Sequence, residues 1–217
     1  MADIFHDIED ALKQDRLKKL WRWGRWPLAA IIIIIIGIVI AFVLVRDAAE
    51  TRKLEQAEIF HDAFKALEEG KPSDAAEMYL ELAKSSDDPA YLIFSQFRAA
   101  EAYLSDENLA GALETYDVIA ANTDVPQIYR DLAIYISSDL LLDTLDFRQI
   151  NEKLAPILLE GNIWRPMAQE TLALSAIKAG KKDHARELLS ALTLDASAPE
   201  GLKDRAAQIL AVLGTDK

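Results

Sequence analysis

The 217-residue sequence predicts an all-α chain: a single N-terminal transmembrane helix, then an α-solenoid of about four helical-hairpin repeats with a C-terminal capping helix. Three observations carry this reading. Residues 28–45 form an uncharged apolar run. The chain beyond it has helical apolar spacing and no convincing alternating strand. Three of its segments also align with one another at fixed internal spacings. Together they divide the chain into an arm over 1–25, a span over 26–45 and a repeat domain over 46–217.

The arm, MADIFHDIEDALKQDRLKKLW, places Ile4, Ile8 and Leu12 four apart, with Phe5 and Ala11 on the same side. Asp3, Asp7, Glu9 and Asp10 crowd its first turns and basic residues its last ones, the distribution a helix dipole favours. Glu9–Lys13 and Asp15–Lys19 are i,i+4 pairs, each worth about 0.3 kcal/mol. This pattern predicts a short amphipathic helix. It either lies on the bilayer surface or docks a membrane partner.

The run LAAIIIIIIGIVIAFVLV is apolar on every side, whereas a core helix of a soluble domain keeps one polar face. With Trp26 and Pro27 it spans about 30 Å at about 1.5 Å per residue, the thickness of a bilayer's hydrocarbon layer. In lipid only a helix hides the backbone polar groups of a single span. A cleaved signal peptide has a shorter apolar stretch and ends on small residues, but this run exits through Val45-Arg46-Asp47-Ala48. Between Lys13 and Arg25 stand six basic residues and one acid. Arg16, Lys18, Lys19, Arg22 and Arg25 set the topology, and Trp21, Trp23 and Trp26 form an interfacial belt. The expectation is a single-pass anchor in a bacterial inner (cytoplasmic) membrane, N-terminus cytoplasmic and repeat domain periplasmic.

Beyond residue 45 the chain keeps 18 of its 24 basic and 31 of its 36 acidic residues, so the predicted domain is near −13. That charge repels phosphate backbones and excludes nucleic acid as a partner. The chain has no cysteine, which excludes disulfides, thiolate catalysis and Cys-zinc sites.

Within the domain, GKPSDAAEMYLELAKSSDDP carries Gly70, Ala75, Tyr79, Ala83 and Pro89. ENLAGALETYDVIAANTDVP carries Ala112, Tyr116, Ala120 and Pro126, each 37 residues on. GKKDHARELLSALTLDASAP carries Gly180, Ala185, Leu189 and Pro199. Twelve residues before each second-helix alanine lies another, at Ala63, Ala100 and Ala173. This is the tetratricopeptide pattern, two antiparallel helices approaching through small residues, with Pro ending the second helix. It departs from the usual pattern in having Ile59, Gln96 and Gln169 in place of the first Trp. The unit between Pro126 and Pro166 lacks the alanine pair and is Leu-rich (SSDLLLDTLD). Residues 200–213 close the array, with Ala206, Ile209, Leu210 and Leu213 on one face. No Pro or Gly falls between Gly37 and Gly70, so the span is expected to run on into the first repeat helix.

The chain carries little that points to catalysis. His6, His61 and His184 are far apart in sequence, and no HExxH, GxSxG, Walker or GxGxxG pattern occurs. No catalytic, cofactor or metal residues are expected, and the chain is read as a non-enzyme. Phe60, Phe64 and Phe97 fall on first helices: they either line a partner groove or pack between repeats. In GNIWRP (161–166), Gly161 or Asn162 can end one helix and Pro166 can open the next. Trp164 there either fills the gap between repeats or stacks on a ligand.

The arm DIFHDIEDALKQDRLKKLW, the single span, the AETRKLEQA segment and GNIWRP together resemble the YfgM-like ancillary subunits of the SecYEG translocon, in their alphaproteobacterial form. The resemblance covers essentially the whole chain. It implies an inner-membrane protein whose periplasmic repeat domain associates with Sec translocon subunits and a periplasmic chaperone, assisting secreted or membrane proteins. The alternative is an adaptor for envelope assembly or cell division. The family supplies no catalytic residues to carry over.

Overall fold

The structure, a computed structural model, describes residues 3–214, with side chains over 34–47 and 50–214. All regular structure among these residues is helical. The helices are α1 (Asp3–Glu68), α2 (Pro72–Ser85), α3 (Pro89–Ser105), α4 (Leu109–Ala121), α5 (Gln127–Leu140), α6 (Phe147–Leu154), α7 (Arg165–Lys178), α8 (Lys182–Leu194) and α9 (Glu200–Leu213). A 3₁₀ turn (Ala155–Ile157) follows α6. The chain divides into two compact units, Met1–Glu55 and Gln56–Lys217, and the division falls inside α1.

In the first unit the side chains of the predicted arm (1–25) and of residues 26–33 lie outside the described residues. Among the described residues no helix is long and apolar enough to cross a membrane. Of the apolar run, residues 34–45 are described. Their large side chains, Ile34 through Val45, are 46% to 71% exposed at nearly consecutive positions, so they cover every side of the helix.

The second unit consists of helical hairpins packed in chain order, consistent with an α-solenoid. The end of α1 pairs with α2, α3 with α4, α5 with α6, and α7 with α8. Helix α9 lies against both α8 and α7, where the first helix of a further hairpin would stand. The six alanines of the three pairs (Ala63, Ala75, Ala100, Ala112, Ala173, Ala185) have no exposed surface, while of the other two repeat alanines Ala83 is buried and Ala120 half-buried. Next to them Tyr79, Tyr116 and Leu189 are buried, as are Leu82, Ile119 and Leu192 one turn on. Burying one such Leu or Ile side chain stabilises by about 1.5–3 kcal/mol.

Two details differ from the sequence reading. The prolines open the following helix instead of ending the preceding one: Pro89 is in the first turn of α3, while Pro126 and Pro199 are the N-caps of α5 and α9. A fixed φ and a missing N–H suit a helix start, where that donor has no intrahelical partner. The third hairpin also keeps half of its alanine pair. Ala133, fully buried in α5, lies seven residues after Pro126, as Ala173 does after Pro166 and Ala206 after Pro199. The expected partner twelve residues on is Leu145, which falls in the long α5–α6 connection. The Leu-rich segment is largely that connection, and Leu141 and Leu145 fold back against the core. Asp146 rebuilds the short α6 through a capping box: its carboxylate accepts from Gln149 N (2.9 Å), and Gln149 Oε1 accepts from Asp146 N (3.0 Å).

The turns inside three hairpins share one geometry. Residues 70, 107 and 180 take positive φ, at 77°, 54° and 73°. The next residue's N–H then reaches back to the carbonyl of Ala66, Tyr103 or Ala176 at 2.8–2.9 Å. Glycine supplies this conformation in the first and last turns, but the middle one has Glu107. A Cβ at Gly70 or Gly180 would meet nothing within 4 Å, so only the backbone opposes a side chain there. We expect Glu107→Gly to raise stability by about 0.5–1 kcal/mol, and Gly70→Ala or Gly180→Ala to lower it by about 1 kcal/mol. Urea unfolding of the full chain followed by circular dichroism checks both signs.

Candidate interaction site

Residues 155–164 connect α6 to α7 and stitch the third hairpin to the fourth. After the 3₁₀ turn, Gly161 takes φ 83°, which reverses the chain so that Asn162 faces α5. Asn162 Nδ2 donates to Asp131 Oδ2 at 2.8 Å, and Asn162 Oδ1 accepts from Trp164 N at 2.9 Å. Trp164 Nε1 donates to the carbonyl of Ile128 at 2.8 Å. The indole stacks on Tyr135 of α5, with centroids 6.3 Å apart and planes 11° from parallel. Pro166, fully buried, sits in the first turn of α7. Burial pushes the Tyr135 hydroxyl pKa above its ordinary value, and the Asp139 and Glu170 carboxylates add to the rise, so the ring beneath Trp164 stays neutral.

These bonds force an apolar side chain into solvent. Ile163 lies between Asn162 and Trp164, both tied to α5, and is 60% exposed. With Leu159 (64%) and Ile128 (45%) it lines an open cleft of about 360 Å³ that also includes Gln127, Asp131 and Glu160. On α3, Phe94 (49% exposed) meets Tyr129 edge-on at 5.9 Å. Among the described residues the large exposed hydrophobics of the second unit are Phe94, Val118, Ile128, Leu159, Ile163, Leu194 and Val212, and three of them, Ile128, Leu159 and Ile163, line this cleft. The cleft's lining has two carboxylates and no basic residue. A cleft with apolar walls and a few fixed polar groups is a candidate contact site.

The residues singled out from sequence fall as follows. Phe60 is half-buried, edge-on to Tyr79 (5.1 Å) and Tyr91 (6.0 Å). Phe97 packs against Tyr116 at 6.0 Å, and Phe64 lies half-buried with the Arg98 guanidinium 5.8 Å from its ring centroid. Of the four candidates only Trp164 belongs to the face described above, and its indole is engaged in packing. Arg16, Lys18, Lys19, Trp21, Arg22, Trp23, Arg25 and Trp26 lie outside the residues whose side chains are described. His184 packs edge-on against Phe147 at 5.5 Å. Among the described residues no group of His, Asp and Glu side chains is arranged to hold a metal ion. A second cleft, about 510 Å³, lies between α2, α3 and α4, with Leu80, Leu92, Gln96 and Val118 in its lining. Phe94, Ile128, Leu159 and Ile163 were not singled out from sequence, although GNIWRP marked the neighbourhood. In comparisons with known proteins no family model, no curated relative and no solved structure matches the chain.

Asn162→Ala removes both side-chain bonds and leaves the largely buried Asp131 without that partner, at an expected cost of about 1–3 kcal/mol. Trp164→Phe keeps the ring stacking and loses the bond to Ile128, at a cost of about 1 kcal/mol. Because both residues hold the same loop, the double variant should cost less than the sum, and a double-mutant cycle by urea unfolding measures the difference.

Proposed function

We propose that this chain is a membrane-anchored, non-enzymatic scaffold with a tetratricopeptide-like repeat domain, working beside the Sec translocon and a periplasmic chaperone. The observation that carries the reading is the run of large apolar side chains exposed on every side of α1, in the same helix that supplies the first repeat helix. No soluble setting favours that much exposed Ile, Val, Leu and Phe on one helix, whereas a bilayer does. The basic residues before the run support a cytoplasmic N-terminus and a periplasmic repeat array. The array contributes recognition through surface contacts, on the face formed by Ile128, Leu159 and Ile163. Anchoring raises the local concentration of array and partner together, so that individually weak contacts suffice.

Gentle solubilisation of the membranes of the source bacterium followed by pull-down of the tagged full chain should recover translocon subunits and a periplasmic chaperone. Recovery of neither sinks the proposal. Recovery of division or peptidoglycan-assembly proteins in their place assigns the chain to envelope assembly instead.

A further inference from the structure

From the geometry of the GNIWRP face we infer the chemistry of what docks there: a peptide segment with large apolar side chains flanked by Lys or Arg. The inference rests on the proposed reading of this face as the docking surface and adds the partner's charge. Two features of the face support it. The first is pre-organisation. Ile163 cannot turn inward while Asn162 is bonded to Asp131 and Trp164 to the Ile128 carbonyl, so the apolar ridge is held ready for contact. A surface already fixed in its binding form loses little conformational freedom when a partner arrives.

The second feature is charge. Asp131 and Glu160 line the cleft between Ile128, Leu159 and Ile163, and no lysine or arginine does. Asp131 is largely buried and held by Asn162, so its position is fixed, while Glu160 is exposed at the rim. The surrounding domain is itself strongly acidic, with 31 acidic against 18 basic residues after residue 45. An apolar segment bearing cations therefore gains attraction at the rim as its side chains enter the cleft. A second copy of this chain would bring the same carboxylates to the contact, since a two-fold interface pairs a patch with itself. An anionic lipid surface is repelled for the same reason.

The test uses the full chain in phosphatidylcholine nanodiscs and fluorescence anisotropy of three synthetic peptides. One has a Leu–Ile core flanked by lysines, one the same core flanked by glutamates, and one is oligolysine without a core. The lysine-flanked core should bind about tenfold more tightly than either of the others at low salt, a difference of about 1.4 kcal/mol. Ile163→Ser and Leu159→Ser, both at well-exposed positions, should each weaken it several-fold without loss of helix content. Glu160→Lys should erase the preference for lysine over glutamate flanks. Equal binding by oligolysine, or no effect of Ile163→Ser, overturns both the inference and the choice of face. Binding that depends on Ile163 but ignores the flanking charge overturns the inference alone. A concentration-dependent dimer of the chain that Ile163→Ser dissociates gives the face to a second copy and overturns it as well.

Discussion

In three hairpins of the repeat array the two helices carry alanines with no exposed surface: Ala63 with Ala75, Ala100 with Ala112, Ala173 with Ala185. Alanine is the constraint on which the other features of the array depend. Two helices approach closely only where neither presents a long side chain, and interiors tolerate neither voids nor overpacking at such a point. Once that spacing is set, the residues one turn away fill the remaining volume, as Tyr79 with Leu82 and Tyr116 with Ile119 do. A Leu in place of any one of the alanines would push the pair apart and open space around those larger side chains.

The same close approach explains the repeated turn geometry within the array. Helices held close leave room for only a short connection, and the tightest one passes through a left-handed residue whose successor bonds back to the first helix. Gly70 and Gly180 adopt it at no steric cost. Glu107 adopts it against its own preference, a sign that packing of the second hairpin dictates its turn. Where the helix pairing is loosened, as between α5 and α6, the connection lengthens, and Leu141 and Leu145 supply packing that a second alanine supplies elsewhere.

Much of this was legible in the sequence, for physical reasons. Alanine pairs at constant spacing have no common explanation other than paired helices, and the six positions are all buried. The third hairpin was only half legible, because a fixed offset of twelve residues assumes a fixed turn length and the α5–α6 connection breaks it. The candidate face was hardly legible. Phe60 and Phe97 sit on first helices, as a groove residue would, yet aromatic neighbours from adjacent helices cover much of each ring. Periodicity marks which side of a helix is apolar but not which apolar side chains their neighbours leave uncovered. Ile163 lies on no helix at all, and its exposure follows from two hydrogen bonds made by the residues on either side of it.

Those bonds also account for why an exposed isoleucine is tolerated. The connection between α6 and α7 must satisfy the Asn162 and Trp164 polar groups against α5, and doing so fixes the backbone on both sides of residue 163. The Ile163 side chain is held outward, where burial contributes little to the fold. An isoleucine there is therefore not required by folding, and neither is Leu159 beside it, which is equally uncovered. Two large apolar side chains that the fold leaves mostly uncovered, at the mouth of a cleft with two carboxylates, are the residues on which the proposed docking rests.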